Sequence, residues 1–226
     1  MSIEGLKRAF SSNGEDVLLA EILSRLGITN GKYIEVGAFH PSIFSNTQHF
    51  YEMGWRGTLV EPNPFMAELL RKFRPDDNVM EVAAGKGRHG ELLIFSDWGS
   101  SNTLDTQFAK RVVETQSVKI TKRVDVDFKT LSSIFEKHVE IFGANVDFLS
   151  IDVEGMDLEV LASLDLEIYT PTLICIEDIS LDLSQAQESL IYKHLSKNKY
   201  RLISHNLISS VYLQSDIQFF RDCMSV

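Results

Sequence analysis

No stretch narrows the possible folds as sharply as Tyr33-Ile-Glu-Val-Gly-Ala-Phe-His40. Apolar residues run up to Glu35-Val36, a glycine interrupts them, and the polar Ser45-Asn46-Thr47 follows a short loop. This pattern predicts a buried strand ending in a tight turn that feeds the N-terminus of a helix. Glycine in such a turn lets the backbone approach a ligand closely. The first N–H groups of a helix lack partners of their own and can meet an anionic group. In an open α/β sheet, ligands sit beyond the carboxyl ends of the strands, where strand order reverses.

The rest of the chain repeats this rhythm. Ser11 to Asp16 opens a helix running to about Leu26, with Ser12 and Glu15 in capping-box spacing and Gly27 as the stop. Lys32–Val36 is the first strand, 46–53 a helix, Thr58–Glu61 a strand ended by Pro62 and Pro64, and 65–73 a helix. A third strand is expected over Val79–Ala84, closed by Gly85-Lys-Gly87. The middle is less regular: a turn over 87–90, a strand over 91–96, a polar loop over 97–103, and an alternating edge strand over 122–128. A helix over 131–142, a strand over 146–152, a helix over 158–164, a strand over 172–177 and a helix over 185–196 follow. Strands over 200–204 and 209–213 would close an antiparallel hairpin at the sheet's far edge. Strands alternating with helices argue for a mostly parallel sheet with helices on both faces. With no repeat or linker in 226 residues, one domain is expected.

Charge and composition exclude several functions. The net charge is −10 and the pI near 5.1, whereas phosphate-backbone binding needs a basic stripe, so no nucleic-acid partner is expected. No run approaches the ~18 apolar residues of a membrane span. Met1-Ser-Ile-Glu-Gly5 lacks the basic and apolar regions of a secretory leader, so a cytoplasmic location is expected. Cys175 and Cys223 form no framework and no metal spacing, and Cys175 reads as a buried thiol.

Acidic residues recur at strand ends: Glu35, Glu61, Asp152 with Glu154, and Glu177 with Asp178. In a parallel sheet these converge on one crevice, where crowding should perturb their pKa values. Glu61 stands about 20–25 residues after the glycine turn, at the end of the second strand, where a carboxylate can accept both ribose hydroxyls. That position serves nicotinamide and adenosylmethionine binders alike. The turn separates them, because Gly37-Ala-Phe-His-Pro41 lacks the further glycines that let a pyrophosphate lie against the backbone.

These residues carry a resemblance. Ser12-Asn-Gly-Glu-Asp16, Tyr33 to Pro41, Phe44-Ser-Asn-Thr47, Gly54-Trp-Arg-Gly57 with Val60-Glu-Pro-Asn-Pro64, and Ile151-Asp-Val-Glu-Gly155 stand in the expected order. Together they resemble the FkbM-type methyltransferases, whose members are mostly assigned as S-adenosylmethionine-dependent O-methyltransferases. The resemblance implies a Rossmann-like class I methyltransferase sheet with an antiparallel C-terminal hairpin. It further implies that Glu35, Gly37 and Ala38 line the methionine end of the cofactor, with Ser45, Asn46 and Thr47 near its carboxylate. Glu61 would hold the ribose, Asn63 would lie near the adenine edge, and Ala84 with Ala83 would flank the ring. Asp152 would sit by the methionine amino group or the transferring methyl, and Glu154 would face the acceptor. His40-Pro41 departs from the Asn-x-Gly turn of many relatives.

Methyl transfer from a sulfonium needs in-line alignment, and an alcohol acceptor also needs a base. His40, Asp152 and Glu154 are the candidates. Asp152, Glu177 and Asp178 offer hard oxygen ligands to a divalent cation, although no metal is assigned. Gly99 to Thr103, preceded by Trp98, suits a sugar or other glycan acceptor. The rival readings are a nicotinamide-dependent oxidoreductase on a similar sheet and a non-catalytic cofactor-binding module.

Overall fold

The structure, a computed structural model, describes residues 8–217. The leader reading at Met1–Gly5 and Cys223 lie outside the described residues. In chain order the elements are α1 (Glu15–Arg25), β1 (Lys32–Val36), α2 (Gln48–Glu52), β2 (Arg56–Val60), α3 (Pro64–Phe73), β3 (Asn78–Met80) and β4 (Ala83–Ala84). Then come β5 (His89–Ile94), α4 (Thr106–Gln116), β6 (Lys122–Lys129), α5 (Leu131–Phe142), β7 (Phe148–Ile151) and α6 (Asp157–Leu161). β8 (Leu173–Glu177), a 3₁₀ turn (Leu183–Glu188), α7 (Leu190–Lys197), β9 (Tyr200–Asn206) and β10 (Ser209–Gln214) complete the order.

Seven strands form one sheet in the order β3-β2-β1-β7-β8-β10-β9. The first five are parallel to one another, and β10 runs antiparallel to both β8 and β9. Strand order therefore reverses between β1 and β7, and a crevice opens beyond their carboxyl ends. The central strands read as unbroken apolar runs because both faces are covered. Ile34, Val36, Leu149, Ile151, Ile174 and Ile176 pack with Leu131, Ile134, Phe135, Val160 and Leu195 from α5, α6 and α7. The alternate residues Tyr33, Phe148, Leu173 and Cys175 pack with Leu19, Ile22, Leu23, Phe50 and Leu70 from α1, α2 and α3. Period-two alternation thus divides each strand between two cores. Cys175 is a free, buried thiol, as its apolar setting implied.

Several expected elements differ. The strand expected over Val79–Ala84 is two strands: β3 pairs with β2, while β4 leaves the main sheet and pairs with β6. β6 is consequently the middle of a small β4-β6-β5 sheet and not an edge. The turn expected at 87–90 already belongs in part to β5, which pairs from His89 onward. α4 has no counterpart among the sequence expectations, although Asp105 caps it by accepting from the Gln107 N–H at 2.7 Å. The helix expected over 185–196 is broken, because Ser189 is extended and caps α7 through the Tyr192 N–H. The helix expected over 158–164 is the shorter α6. At α1 the capping box does not form. Gly14 occupies the cap in a left-handed conformation, Ser11 Oγ pairs with Asp16, and Glu15 accepts from the Asn13 N–H.

Candidate functional site

A pocket open to solvent lies beyond the carboxyl ends of β1, β2, β4 and β7. Its floor and walls include Val36, Gly37, Val60, Glu61, Asn63, Ala83, Ala84, Asp152 and Glu154. Gly99, Ser100, Asn102 and Thr103 of the loop after β5 close another side.

Gly37 stands at the reversal point with φ 80°, and a Cβ there would lie 1.8 Å from the Asp152 carbonyl oxygen. The glycine is thus demanded first by the approach of the β1 and β7 ends, not by a ligand. Its N–H and that of Ala38 both donate to the Val60 carbonyl. The turn that follows is held by His40, whose Nδ1 accepts from the Ser42 and Ile43 N–H groups at 3.1 Å each. Phe39 (φ 50°) and Phe44 (φ 59°) take up its left-handed corners.

Glu61 is buried at the end of β2. Its Oε2 accepts from the Phe39 N–H at 2.8 Å and its Oε1 from the Asn63 N–H at 2.7 Å. Each oxygen keeps a further lone pair for a ligand in the pocket. Burial outweighs those hydrogen bonds and pushes its pKa up to about 7, with Glu35 adding repulsion. Asn63 caps α3 through the Phe65 N–H and also donates to the Asp97 carbonyl, tying the loop after β5 to the pocket rim. Trp98 on that loop is exposed and lies edge-on to Phe65.

On the opposite side stand Asp152 and Glu154. Burial lifts Asp152 to about 6, with Glu15 repulsion second. Burial, then Asp152 and Asp157, lift Glu154 to about 8. Glu154 is held left-handed at φ 54°, and its carbonyl accepts from Thr103 Oγ1 at 2.9 Å. A non-glycine residue in that region stores strain, which persists only where the surroundings enforce it.

The pocket therefore brings together Gly37, Glu61, Asn63, Ala84, Asp152 and Glu154, and leaves the other expected residues outside its lining. Glu35 points to the α2 side of the sheet, where its carboxylate is consumed by the segment before α2. It accepts from the Asn46 N–H at 2.7 Å, from Ser45 Oγ and from Thr47 Oγ1. Burial again dominates and raises its pKa to about 7. Ser45 Oγ in turn accepts from the Thr47 and Gln48 N–H groups. The N–H groups expected to greet an anion are thus already spent on side chains. Asn46 donates to Ser150 Oγ, and Ala38 packs in the core against α1–α3. Ser45, Asn46 and Thr47 form the layer that supports the Gly37 turn. His40, its Nδ1 spent on backbone, is not among the lining residues.

Arg74 and Asp157 escaped the sequence reading. Arg74, only 1% exposed, donates to Asp77, to Tyr33 Oη at 2.7 Å and to Thr47 Oγ1 at 3.0 Å, beneath the same turn. A lone arginine at a helix end carries no signal of burial; only Asp77 three residues later hinted at a pair. Asp157 accepts from the Val153 and Gly155 N–H groups and so shapes the Asp152–Asp157 turn. Burial, then Asp152, raises its pKa to about 7. Asp178, expected to face the crevice, is turned away to Ser180 and Ser189 Oγ. Asp157 takes its place beside Asp152 and Glu177.

A model described as the methyltransferase FkbM domain matches residues 35–202. No curated protein matches the chain. Among the described residues, no helix is long and apolar enough to cross a membrane.

Proposed function

We propose, from the premise that this chain belongs to the FkbM methyltransferase family, that it transfers the methyl group of S-adenosylmethionine to a hydroxyl of a small polar acceptor, a sugar or glycoconjugate. The observation that carries the reading is Glu61. Two backbone N–H groups orient its carboxylate, and its remaining lone pairs face the pocket that Ala83 and Ala84 also line. This donor and acceptor set fits a ribose next to a flat adenine ring. S-adenosylmethionine, when bound, supplies an electrophilic methyl on a sulfonium.

The chain's own residues then have defined tasks. Glu61 accepts the ribose hydroxyls, and the small side chains of Ala83 and Ala84 leave room for a ring. Asp152, across the pocket beside Gly37, faces the positively charged methionine end. No protein nucleophile is required, so orientation of the two reactants carries much of the barrier reduction. Glu154, with a pKa about 8, is matched to removing a proton from an acceptor hydroxyl near neutral pH. Asn102 and Thr103 spend their polar groups on holding the loop in place, and the Ser100 hydroxyl on that loop, which also carries Trp98, is the group offered to a polyhydroxylated acceptor.

Calorimetry with S-adenosylhomocysteine tests the reading, followed by a screen of sugars and cell extract with a labelled methyl donor. Saturable binding lost in Glu61→Ala supports it. No binding by the native protein, with no effect of that substitution, refutes it.

A further inference from the structure

Asp152 of the pocket also belongs to a second group of side chains, whose other members, Asp157 and Glu177, lie outside the pocket lining. Asp152 at the end of β7, Asp157 at the start of α6 and Glu177 at the end of β8 each offer one carboxylate oxygen, all within 4.8 Å of one another. An acidic cluster alone means little, but Glu177 adds a separate observation. It is only 8% exposed, its carboxylate accepts no hydrogen bond from any described residue, and it is aimed at the other two. The charged groups that act on it are Asp152, Asp157 and Glu154, all carboxylates. Three carboxylates packed this closely repel one another, and a cation between them would offset that repulsion.

We infer that Asp152, Asp157 and Glu177 form a binding site for one hard divalent cation of the magnesium, manganese or calcium class. An all-carboxylate set selects hard ions over zinc or copper. The cluster's oxygens lie within 4.8 Å of one another, so small side-chain rotations would bring all three to about 2.0–2.6 Å from one ion. Two of the three ligands are already set in place. Asp157 is held by the Val153 and Gly155 N–H groups, and Glu177 closes β8 in register with β7. The remaining coordination positions would be open to water or to acceptor oxygens. A role for the ion in orienting an acceptor hydroxyl and easing loss of its proton rests on the proposed function; the binding itself does not.

The test is a titration of the chelator-treated full chain with manganese chloride alone, following free manganese by electron paramagnetic resonance, with S-adenosylhomocysteine binding measured separately. One saturable site, displaced by magnesium or calcium and weakened at least about tenfold in Glu177→Gln, is the expected result. Glu177→Asp, which keeps the charge, should retain part of the affinity. Glu177 is the residue to change because its carboxylate holds no backbone group. Asp157→Asn with a circular-dichroism melt is the second variant, and it too should lose manganese. If native protein binds S-adenosylhomocysteine but no manganese, the inference is overturned while the proposed function stands. If manganese binds but S-adenosylhomocysteine does not, the ion site stands and the proposed function falls. Undiminished manganese affinity in both carboxylate variants also overturns it.

Discussion

Cofactor binding should depend on pH through Glu61, and the size of the effect follows from its surroundings. The ligand-free carboxylate has a pKa raised to about 7, because burial outweighs the Phe39 and Asn63 N–H groups. A ribose contact that needs the ionised form then sees a binding-competent fraction of about 0.1 at pH 6 and about 0.9 at pH 8. Affinity for S-adenosylhomocysteine should therefore tighten about tenfold between those pH values through this residue alone. Glu61→Gln removes the titration and one anionic acceptor, a charge-assisted hydrogen bond of about 1.5–3 kcal/mol, so binding at pH 8 should weaken by about 10–100-fold. Asp152 and Glu154 titrate in the same pocket, so the readout is the difference between native and variant profiles, by calorimetry at pH 6, 7 and 8. A variant that binds as tightly as the native protein at pH 8, or profiles that run parallel, would refute the assignment of Glu61 to the ribose.

Four further outcomes test the account. Gly37→Ala forces a Cβ against the Asp152 carbonyl at a positive φ, and should cost at least about 3 kcal/mol in denaturant unfolding, with loss of cofactor binding. Arg74→Met leaves Asp77 buried without its cation at 2.7 Å and should cost about 3–5 kcal/mol in the same assay. Glu35, raised from 4.5 to about 7 in the folded chain, favours its protonated form there. Its share of stability, about 3 kcal/mol, is complete below about pH 4.5 and is lost as pH rises through 7. The decline in urea-derived stability from pH 5 to pH 8 should accordingly be shallower in Glu35→Gln; an equal slope would remove Glu35 from the explanation. Trp98→Ala, at an exposed ring, should leave stability within about 0.5 kcal/mol while raising the KM for the acceptor, measured with the labelled methyl donor.

The sheet was legible because its signal is local and periodic. Apolar runs at β1, β7 and β8 could bury both faces only in a parallel sheet, and Gly37, Glu61 and Asp152 fell at the strand ends that meet. Pairing partners were harder to read. Nothing in Val79–Ala84 announces that the chain changes sheets between Met80 and Ala83, since both halves carry the same apolar character. Direction of a side chain was hardest. Glu35 and Glu61 both stand at strand ends near the turn, yet Glu35 faces the α2 side and is spent on Asn46, Ser45 and Thr47. Glu61, one strand over, lines the pocket. The substitution of Asp157 for Asp178 beside Glu177 has the same origin. Asp178 finds Ser180 and Ser189, contacts made by a loop whose path no local pattern prescribes. His40 was readable as a turn residue, but the two backbone N–H groups on its Nδ1 are a matter of tertiary geometry.

The central claim is that the crevice beyond β1, β2 and β7 holds an adenosyl methyl donor in one orientation. A crystal structure of the complex with S-adenosylhomocysteine tests it most directly. The account predicts both ribose hydroxyls on the Glu61 carboxylate, the adenine beside Ala83 and Ala84, and the homocysteine end between Gly37 and Asp152. A nucleoside bound elsewhere, or bound here with Glu61 untouched, would contradict it.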